Sequence, residues 1–314
     1  MPVFVPWTIA AGAASAALYA MLLAGSLGLS MPLGFGALVV PYFAQVPLFA
    51  IGLWLGLGGA ALAAAIAVAV LLALGGIVFA LVFLAVNAAP VVFMTHQALL
   101  NRADGRGGVE WYPAGTLLTW IIAMASVGFA ALAVYFIDEP GGLKGFIAEG
   151  IRLSVRFEGA PDAVAAASEG IANVFPGIVA LSWIVMVVVN AAIAQALVTR
   201  LGVNRRPAPD IASLELPQGL PIFAAICGIG AFMPGFAGFL GVNLAIIFAG
   251  AFAFAGLAVV HTLARRWPNR RLWLIAIYIF VSVFGWPVLA LALLGLADPW
   301  LKLRSRLGGG PSNT

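Results

Sequence analysis

The chain has 314 residues, of which 64% are hydrophobic and only 8% charged, and its formal net charge is +4. A soluble globular chain carries roughly 25% charged residues, so this composition excludes a surface that faces only water. The single cysteine, Cys227, excludes an internal disulfide and a cysteine-based metal cage. Residues 61–74 are apolar on every side, whereas the strands of a membrane barrel alternate apolar and polar residues. The predicted fold class is therefore all-α, a polytopic transmembrane helix bundle of eight or nine spans.

Four apolar segments come before the first charged residue, and they cover residues 7–29, 33–53, 55–74 and 77–100. Each is close to the length of about 20 residues that a helix needs to cross the hydrocarbon core. Met31-Pro32 ends the first segment, and Pro41 and Pro47 bend the second because proline has no N–H to donate. Gly75-Gly76 is predicted to form the turn between the third segment and the fourth.

Five further apolar segments follow a polar loop at 102–112, and they cover residues 113–137, 174–199, 217–240, 242–263 and 272–297. Nine spans result, with eight as the alternative, because no charge separates the first four segments. The predicted organisation has four parts. These are an N-terminal membrane bundle at 1–137, an extracytoplasmic amphipathic segment at 138–173, a C-terminal membrane bundle at 174–297 and a polar tail at 298–314.

The arginines predict the orientation, because short loops rich in Lys and Arg stay in the cytoplasm. Three arginine-containing loops, at 102–106, 200–206 and 265–271, alternate so that all of them can face the cytoplasm. The polar segment 138–173 is then extracytoplasmic, and the predicted location is a bacterial inner membrane. Nine spans leave the basic tail outside, against the rule. A break of the last span at Gly285-Trp286-Pro287 would remove that conflict.

The segment 138–173 carries a helical pattern of its own. Leu143, Phe146, Ile147 and Ile151 recur at helical spacing, with charged residues on the other faces, which predicts an amphipathic helix at the membrane surface. A second, weaker helix is predicted at 162–171. The segment is interpreted either as a lid over a cavity or as a connector among the lipid headgroups.

Neutral polar residues are the candidates for a site, because the apolar segments contain no Asp, Glu, Lys or Arg. The absence of intramembrane charge and of hydrolase or ATPase motifs predicts that the chain is not an enzyme and has no catalytic residue, cofactor or metal. A buried amide is either a hydrogen bond between helices or a ligand contact. The predicted ligand-binding residues are Tyr42, Gln45, Asn87, Asn190 and Asn243.

Small residues recur every four positions in the first and third segments. The three stripes are Gly12, Ala16 and Ala20; Gly56, Ala60 and Ala64; and Gly59, Ala63 and Ala67. Such stripes let helix backbones approach closely. They predict internal packing, or else a docking face for another membrane protein.

Three short motifs resemble those of a known family. They are Trp111-Tyr112-Pro113-Ala114-Gly115 after a short arginine-containing loop, Arg206-Pro207-Ala208-Pro209 followed by Leu216-Pro217, and Leu294-Gly295-Leu296-Ala297-Asp298 with Arg304 after it. Over nearly its full length the chain resembles the YybS-like family of uncharacterised bacterial multi-pass membrane proteins (domain of unknown function 2232). The resemblance marks Trp111, Tyr112, Pro113, Arg206 and Pro207 as cytoplasmic-loop motif residues.

The first six spans of that family are distantly similar to S-components, the capture subunits of energy-coupling-factor vitamin transporters. In this chain the similarity is carried by Pro47-Leu48-Phe49 and Gly52-Leu53-Trp54-Leu55-Gly56, then Gly59 and Ala63. The resemblance implies that Ala10 and Ala14, or Ala13 and Ala17, dock a transmembrane coupling partner. About three additional spans depart from the S-component pattern.

The first hypothesis for the function is small-molecule capture or permeation that relies on a separate ATPase. The alternative is a non-transporting scaffold or assembly factor that binds envelope proteins, and the second alternative is lipid handling. The expected partners are membrane lipids and either an ATPase with its transmembrane coupling subunit or other membrane proteins. No nucleic-acid partner is expected, because no basic patch is interleaved with aromatic residues.

Overall fold

Helices form at almost every segment that the hydropathy pattern predicts. The computed structural model describes residues 4–26, 39–105, 107–154 and 161–308. The helices are α1 Phe4–Ser26, α2 Gln45–Leu55, α3 Leu57–Phe83, α4 Ala89–Leu99, α5 Ala114–Tyr135, α6 Gly142–Ser154, α7 Pro161–Arg200, α8 Leu220–Gly230, α9 Gly235–Ala264, α10 Arg270–Phe284, α11 Pro287–Leu301 and α12 Leu303–Gly308. The predicted break at Met31-Pro32 lies outside the described residues.

The remaining regular elements are short. Val40–Phe43 and Ile211–Ser213 are 3₁₀ turns, and a π-helical turn at Leu84–Ala88 joins α3 to α4. In the described part of the 102–112 loop, β1 (Asn101–Ala103) pairs antiparallel with β2 (Val109–Trp111). The all-α prediction is confirmed, because that hairpin is the one sheet among the described residues.

The number of candidate spans is lower than the predicted eight or nine. Five described helical stretches are long and apolar enough to cross a membrane, or six if α10 and α11 count together as one. Val40–Leu55 and Leu220–Gly230 are apolar but too short to qualify. The stretch Leu57–Leu99 is counted once, although its backbone leaves the helical region at Gly76 (φ 77°, ψ −177°). Among the described residues, nine apolar segments result if its two arms, the α10–α11 pair as one segment and the two short helices are all counted, but the stretches that qualify as spans number five or six.

The chain divides into two compact units, Met1–Leu117 with Val185–Pro209, and Leu118–Ile184 with Asp210–Thr314. The division falls inside α5 and α7, so each of these helices contributes to both units. The predicted division into sequence-contiguous membrane bundles follows the order of the hydropathy pattern, whereas the units are discontinuous in sequence.

In the first unit, small residues bring α1 against α3. A Cβ added at Gly12 would lie 2.6 Å from the carbonyl oxygen of Ala63 and 2.9 Å from the Cβ of Ile66. Ala16, Ala60, Ala63 and Ala67 are all buried. The interpretation of these stripes as internal packing is therefore confirmed for this interface.

The chain reverses at Gly75-Gly76, as predicted. An ideal Cβ at Gly52 would touch both Ala60 and Thr95, although these two residues would be about 50 Å apart along one straight helix. Tyr19 of α1 contacts Phe79 and Phe83 on the arm after Gly76, with ring centroids 5.0 and 4.9 Å apart, while Gly12 of the same helix packs against Ala63 on the arm before it. The residues on either side of Gly76 therefore form an antiparallel hairpin.

In the second unit, α9 packs against α11 through glycines. Ideal Cβ atoms at Gly256 and Gly295 would collide with the backbone carbonyls of Leu291 and Phe252, respectively. The chain bends by 118° between α10 and α11. Gly285, with φ 67°, ends α10. The last apolar segment is thus broken at Gly285-Trp286-Pro287, the alternative that the sequence left open.

The segment after α5 contains the predicted amphipathic helix, α6. Leu143 and Ala148 are buried, whereas Phe146 is 57% exposed and stacks on Phe136 with a centroid distance of 4.5 Å. The second predicted helix, at 162–171, is wrong as a separate element. It is the first part of α7, which is continuous from Pro161 to Arg200.

Candidate functional site

Polar side chains from other helices surround the break between the 3₁₀ turn Val40–Phe43 and α2, in the first unit. Asn190 Nδ2 on α7 donates to the Tyr42 carbonyl at 2.7 Å, and Ser15 Oγ on α1 donates to the Ala44 carbonyl at 2.6 Å. Gln45 Nε2 donates to the Val86 carbonyl at 3.3 Å. The break that Pro41 and Pro47 predict is therefore a meeting point of several helices.

The Val86 carbonyl that accepts from Gln45 lies one turn before a proline. Pro90, four residues later, has no N–H to donate to it, and the chain forms the π-helical turn Leu84–Ala88 just before this proline. Asn87 lies in that turn and is only 2% exposed. π-Helical turns occur frequently at functional sites, which agrees with the selection of Asn87 as a candidate.

Two acceptor atoms in this cluster lack a hydrogen-bond donor. Gln45 is 0% exposed and Asn190 is 1% exposed, yet Gln45 Oε1 and Asn190 Oδ1 have no partner among the described residues. Each group left unsatisfied in this way costs about 1–3 kcal/mol. Both atoms are acceptors, so they cannot satisfy each other, and a molecule that carries N–H or O–H groups, water included, would pair with them. Thr95 Oγ1, a buried hydroxyl of the same unit, also lacks a partner among the described residues.

Tyr42 contributes to this cluster through its backbone. Its carbonyl accepts the bond from Asn190, while its side chain is 44% exposed. The structure therefore brings Tyr42, Gln45, Asn87 and Asn190 into one unit around one helix break. Ser15 and Thr95 are buried polar residues of the same unit that sequence reasoning missed. Their signal was a hydroxyl within an otherwise apolar helix.

Asn243 lies in the second unit and has a different environment. Its Oδ1 accepts from the Gly177 N–H at 2.6 Å, and its Nδ2 donates to the carbonyls of Asn173 and Phe239 at 2.9 and 2.8 Å. The amide thus stands between Asn173 and Gly177, which would otherwise pair within α7. Pro176 interrupts the same turn. All of these contacts are intramolecular, and those with Asn173 and Gly177 join α9 to α7.

Arg206 connects the motif residues of the first unit. It is 5% exposed, and its guanidinium donates to the carbonyls of Ala98 and Tyr112 at 2.9 and 2.8 Å. Its own carbonyl accepts from Gln195 Nε2 at 3.0 Å. Burial lowers the pKa of Arg206 from its usual value. Tyr112 and Arg206, which the sequence places in separate motifs, are therefore in direct contact.

The neighbouring motif positions are more accessible. Trp111 is half-buried at the end of β2, and Pro113 and Pro207 are exposed. In the hairpin, Arg102 Nε donates to Glu110 Oε2 at 2.8 Å, and this pairing lowers the pKa of the Glu110 carboxyl. In the second unit, Arg304 Nε donates to the buried Asp298 Oδ2 at 2.6 Å. The third motif therefore also forms an internal contact.

The alanines proposed for docking lie on the free side of α1 within the first unit. Ala10, Ala13, Ala14 and Ala17 are exposed, while Gly12, Ser15 and Ala16 on the opposite side are buried. No group of three or more His, Cys, Asp or Glu side chains that could hold a metal ion occurs in the part of the chain that the structure describes.

Apolar helices of span length, joined by buried amides and close glycine contacts, define the class: this is a polytopic α-helical membrane protein. Residues 161–299 match the model of the family described as "Predicted membrane protein (DUF2232)". The family indicated by the sequence motifs is thereby confirmed over this range. No curated protein and no solved structure matches the chain. The similarity to S-components stays a prediction.

Proposed function

We propose that the protein captures a small, uncharged, polar molecule in the membrane, or lets it permeate, in the manner of an S-component. The single observation that carries this proposal is the pair of buried acceptors without donors, Gln45 Oε1 and Asn190 Oδ1. Buried polar groups in folded proteins are almost always hydrogen-bonded. A molecule with N–H or O–H groups that binds at the helix break would complete both.

The chemistry of the surroundings favours an uncharged molecule. The sequence contains no Asp, Glu, Lys or Arg from residue 4 to residue 99, so hydrogen bonds and shape provide the recognition. The proposed site comprises Gln45, Asn190 and Asn87 with the Tyr42 carbonyl.

The proposed function includes a partner and requires no catalysis by this chain. Those apolar segments contain no charged side chain that could bind a proton or an ion, so they provide no residue for coupling to an ion gradient. We therefore propose a separate ATPase with a transmembrane coupling subunit, docked on the face of α1 that exposes Ala10, Ala13, Ala14 and Ala17. The proposed location is a bacterial inner membrane with the arginine-containing loops in the cytoplasm, where such an ATPase acts.

A scaffold that binds envelope proteins is the second candidate. The same exposed alanine face favours it, because close helix approach serves any membrane partner. The two candidates differ in the small molecule: a scaffold has none, whereas the capture function requires one that contacts Gln45.

The test is affinity purification in mild detergent, followed by mass spectrometry of bound small molecules and proteins. We compare wild type with Gln45→Leu and with Gln218→Leu, which makes the same chemical change on an exposed loop residue. The expected result is one ligand in wild type and Gln218→Leu that is absent from Gln45→Leu, together with an ATPase. Co-purification of envelope proteins without any ligand would favour the scaffold function. Unchanged ligand binding by Gln45→Leu would show that Gln45 does not belong to the site.

A further inference from the structure

A cleft with charges of both signs lies beside α6 in the second unit. Its volume is about 590 Å³. The charged side chains that line it are Glu139, Lys144, Glu149, Arg152 and Glu169. Three carboxylates face two cations, so the lining has one net negative charge. This balance favours an occupant that carries a positive charge.

Both terminal nitrogens of Arg152 have partners within the cleft, whereas its buried Nε has none among the described residues. Its Nη2 donates to Glu169 Oε1 at 3.2 Å, and its Nη1 lies 3.8 Å from Glu149 Oε2. The ion pairs of the described residues include no partner for Glu139 or Lys144. One carboxylate and one ammonium are therefore left for an occupant, and they are complementary to a zwitterion.

Glycines form the turn at one side of the cleft. Gly141 and Gly142 have φ of 75° and 62°, and the turn they form returns the chain onto the first turn of α6. A Cβ at Gly145 would collide with the Pro140 carbonyl oxygen. Lys144 is thereby held close to the turn that contains Glu139.

The rim of the cleft is apolar and aromatic. Phe146 lines the cleft and is 57% exposed, and Tyr135, where α5 ends, is 80% exposed. Phe136 joins the two rings, with centroids 4.5 Å from Phe146 and 5.1 Å from Tyr135. Aromatic residues concentrate at the headgroup level of membranes. α5 is a candidate span, so its end lies at that level.

We propose that this cleft binds the headgroup of a zwitterionic aminophospholipid. The lipid ammonium donates to the carboxylates of Glu139 and Glu149, and the Lys144 ammonium pairs with the phosphate. The acyl chains lie along Phe146 and the exposed Leu153. This site belongs to the second unit and is independent of the proposed small-molecule capture in the first.

The experiment measures lipid retained by the purified full-length protein with native mass spectrometry. The probes are phosphatidylethanolamine, phosphatidylglycerol and water-soluble glycerophosphoethanolamine, each added to the detergent solution. The variants are Glu139→Gln/Lys144→Gln and the control Glu215→Gln, which changes an exposed loop carboxylate of the same unit. Thermal unfolding of each variant confirms that it is folded.

We expect wild type and Glu215→Gln to retain phosphatidylethanolamine about fivefold better than phosphatidylglycerol, the preference that one or two partly exposed charge pairs provide. The double variant should lose that preference. Equal retention of the two lipids by wild type, or an unchanged preference in the double variant, would overturn the proposal. If the protein binds glycerophosphoethanolamine but shows no preference between the two lipids, the occupant is a soluble zwitterion and the lipid proposal is overturned as well.

Discussion

Buried amides have two different roles in this chain, and the difference is visible atom by atom. Asn243 uses both its oxygen and its nitrogen within the chain, where it replaces the backbone bond between Asn173 and Gly177. Gln45 and Asn190 use only their nitrogens and leave their oxygens unpaired. The sequence identified all three as polar residues in apolar segments. It could not separate them, because the partners come from helices that are distant in sequence.

Substitution of Asn243 should therefore destabilise the fold far more than substitution of Gln45. Asn243→Leu removes the side-chain partners of the buried Gly177 N–H and the part-buried Asn173 carbonyl, while the leucine side chain still separates the two, and we expect a loss of about 3 kcal/mol in the free energy of unfolding. Gln45→Leu removes an unpaired acceptor together with one long hydrogen bond, so the expected change is below about 1 kcal/mol. Unfolding in mixed micelles measures both variants, and equal losses would contradict this assignment.

At the scale of the element, glycine and proline determine where each apolar segment bends and which helix it contacts. Gly76 reverses the chain between two helical arms, and Gly285 ends α10. The sequence predicted the turn at Gly75-Gly76, whereas a break at Gly285-Trp286-Pro287 was only the alternative that would remove the conflict over the basic tail. The glycine contact between α9 and α11 was not predicted. Its glycines are 39 positions apart in sequence, and only the fold brings Gly256 and Gly295 to one interface.

The α9–α11 interface should not tolerate a single methyl group. In Gly295→Ala the added Cβ collides with the Phe252 carbonyl, and we expect a loss of about 2 kcal/mol in the free energy of unfolding from overpacking. Gly228→Ala is the matched control, because a Cβ there meets nothing within 4 Å. Alanine in a helix interior is about 0.5–1 kcal/mol better than glycine, so the control should be neutral or slightly stabilising. Equal effects of the two substitutions would show that the helices separate easily.

At the scale of the whole molecule, the motif residues act as internal connections. Arg206 binds the carbonyls of Ala98 and Tyr112, and Arg304 binds Asp298 and the Leu214 carbonyl. These contacts lie where loops meet helix ends. The positions that resemble the family therefore have structural roles that composition and spacing could not assign.

The proposed orientation predicts which positions react with a reagent outside the cell. In a Cys227→Ser background, Gly150→Cys should react with a membrane-impermeant maleimide on intact cells, because segment 138–173 is proposed to be extracytoplasmic. Ala103→Cys, in the arginine-containing hairpin, should react only after the cells are opened. Both positions are exposed, so accessibility within the protein does not decide the result. The opposite pattern would reverse the orientation.

The sequence by itself determined that the chain is an α-helical membrane protein, because its apolar composition and the length of its apolar segments match the hydrocarbon core of a membrane. It also determined the turn at Gly75-Gly76, since backbone preferences act locally, and it left the break at Gly285-Trp286-Pro287 open. The pairing of Asn243 with α7, the unpaired oxygens of Gln45 and Asn190 and the glycine contact of α9 with α11 were decided by the tertiary structure alone. Hydrogen bonds and close packing join residues far apart in sequence, and a hydropathy pattern carries no information about which helices meet.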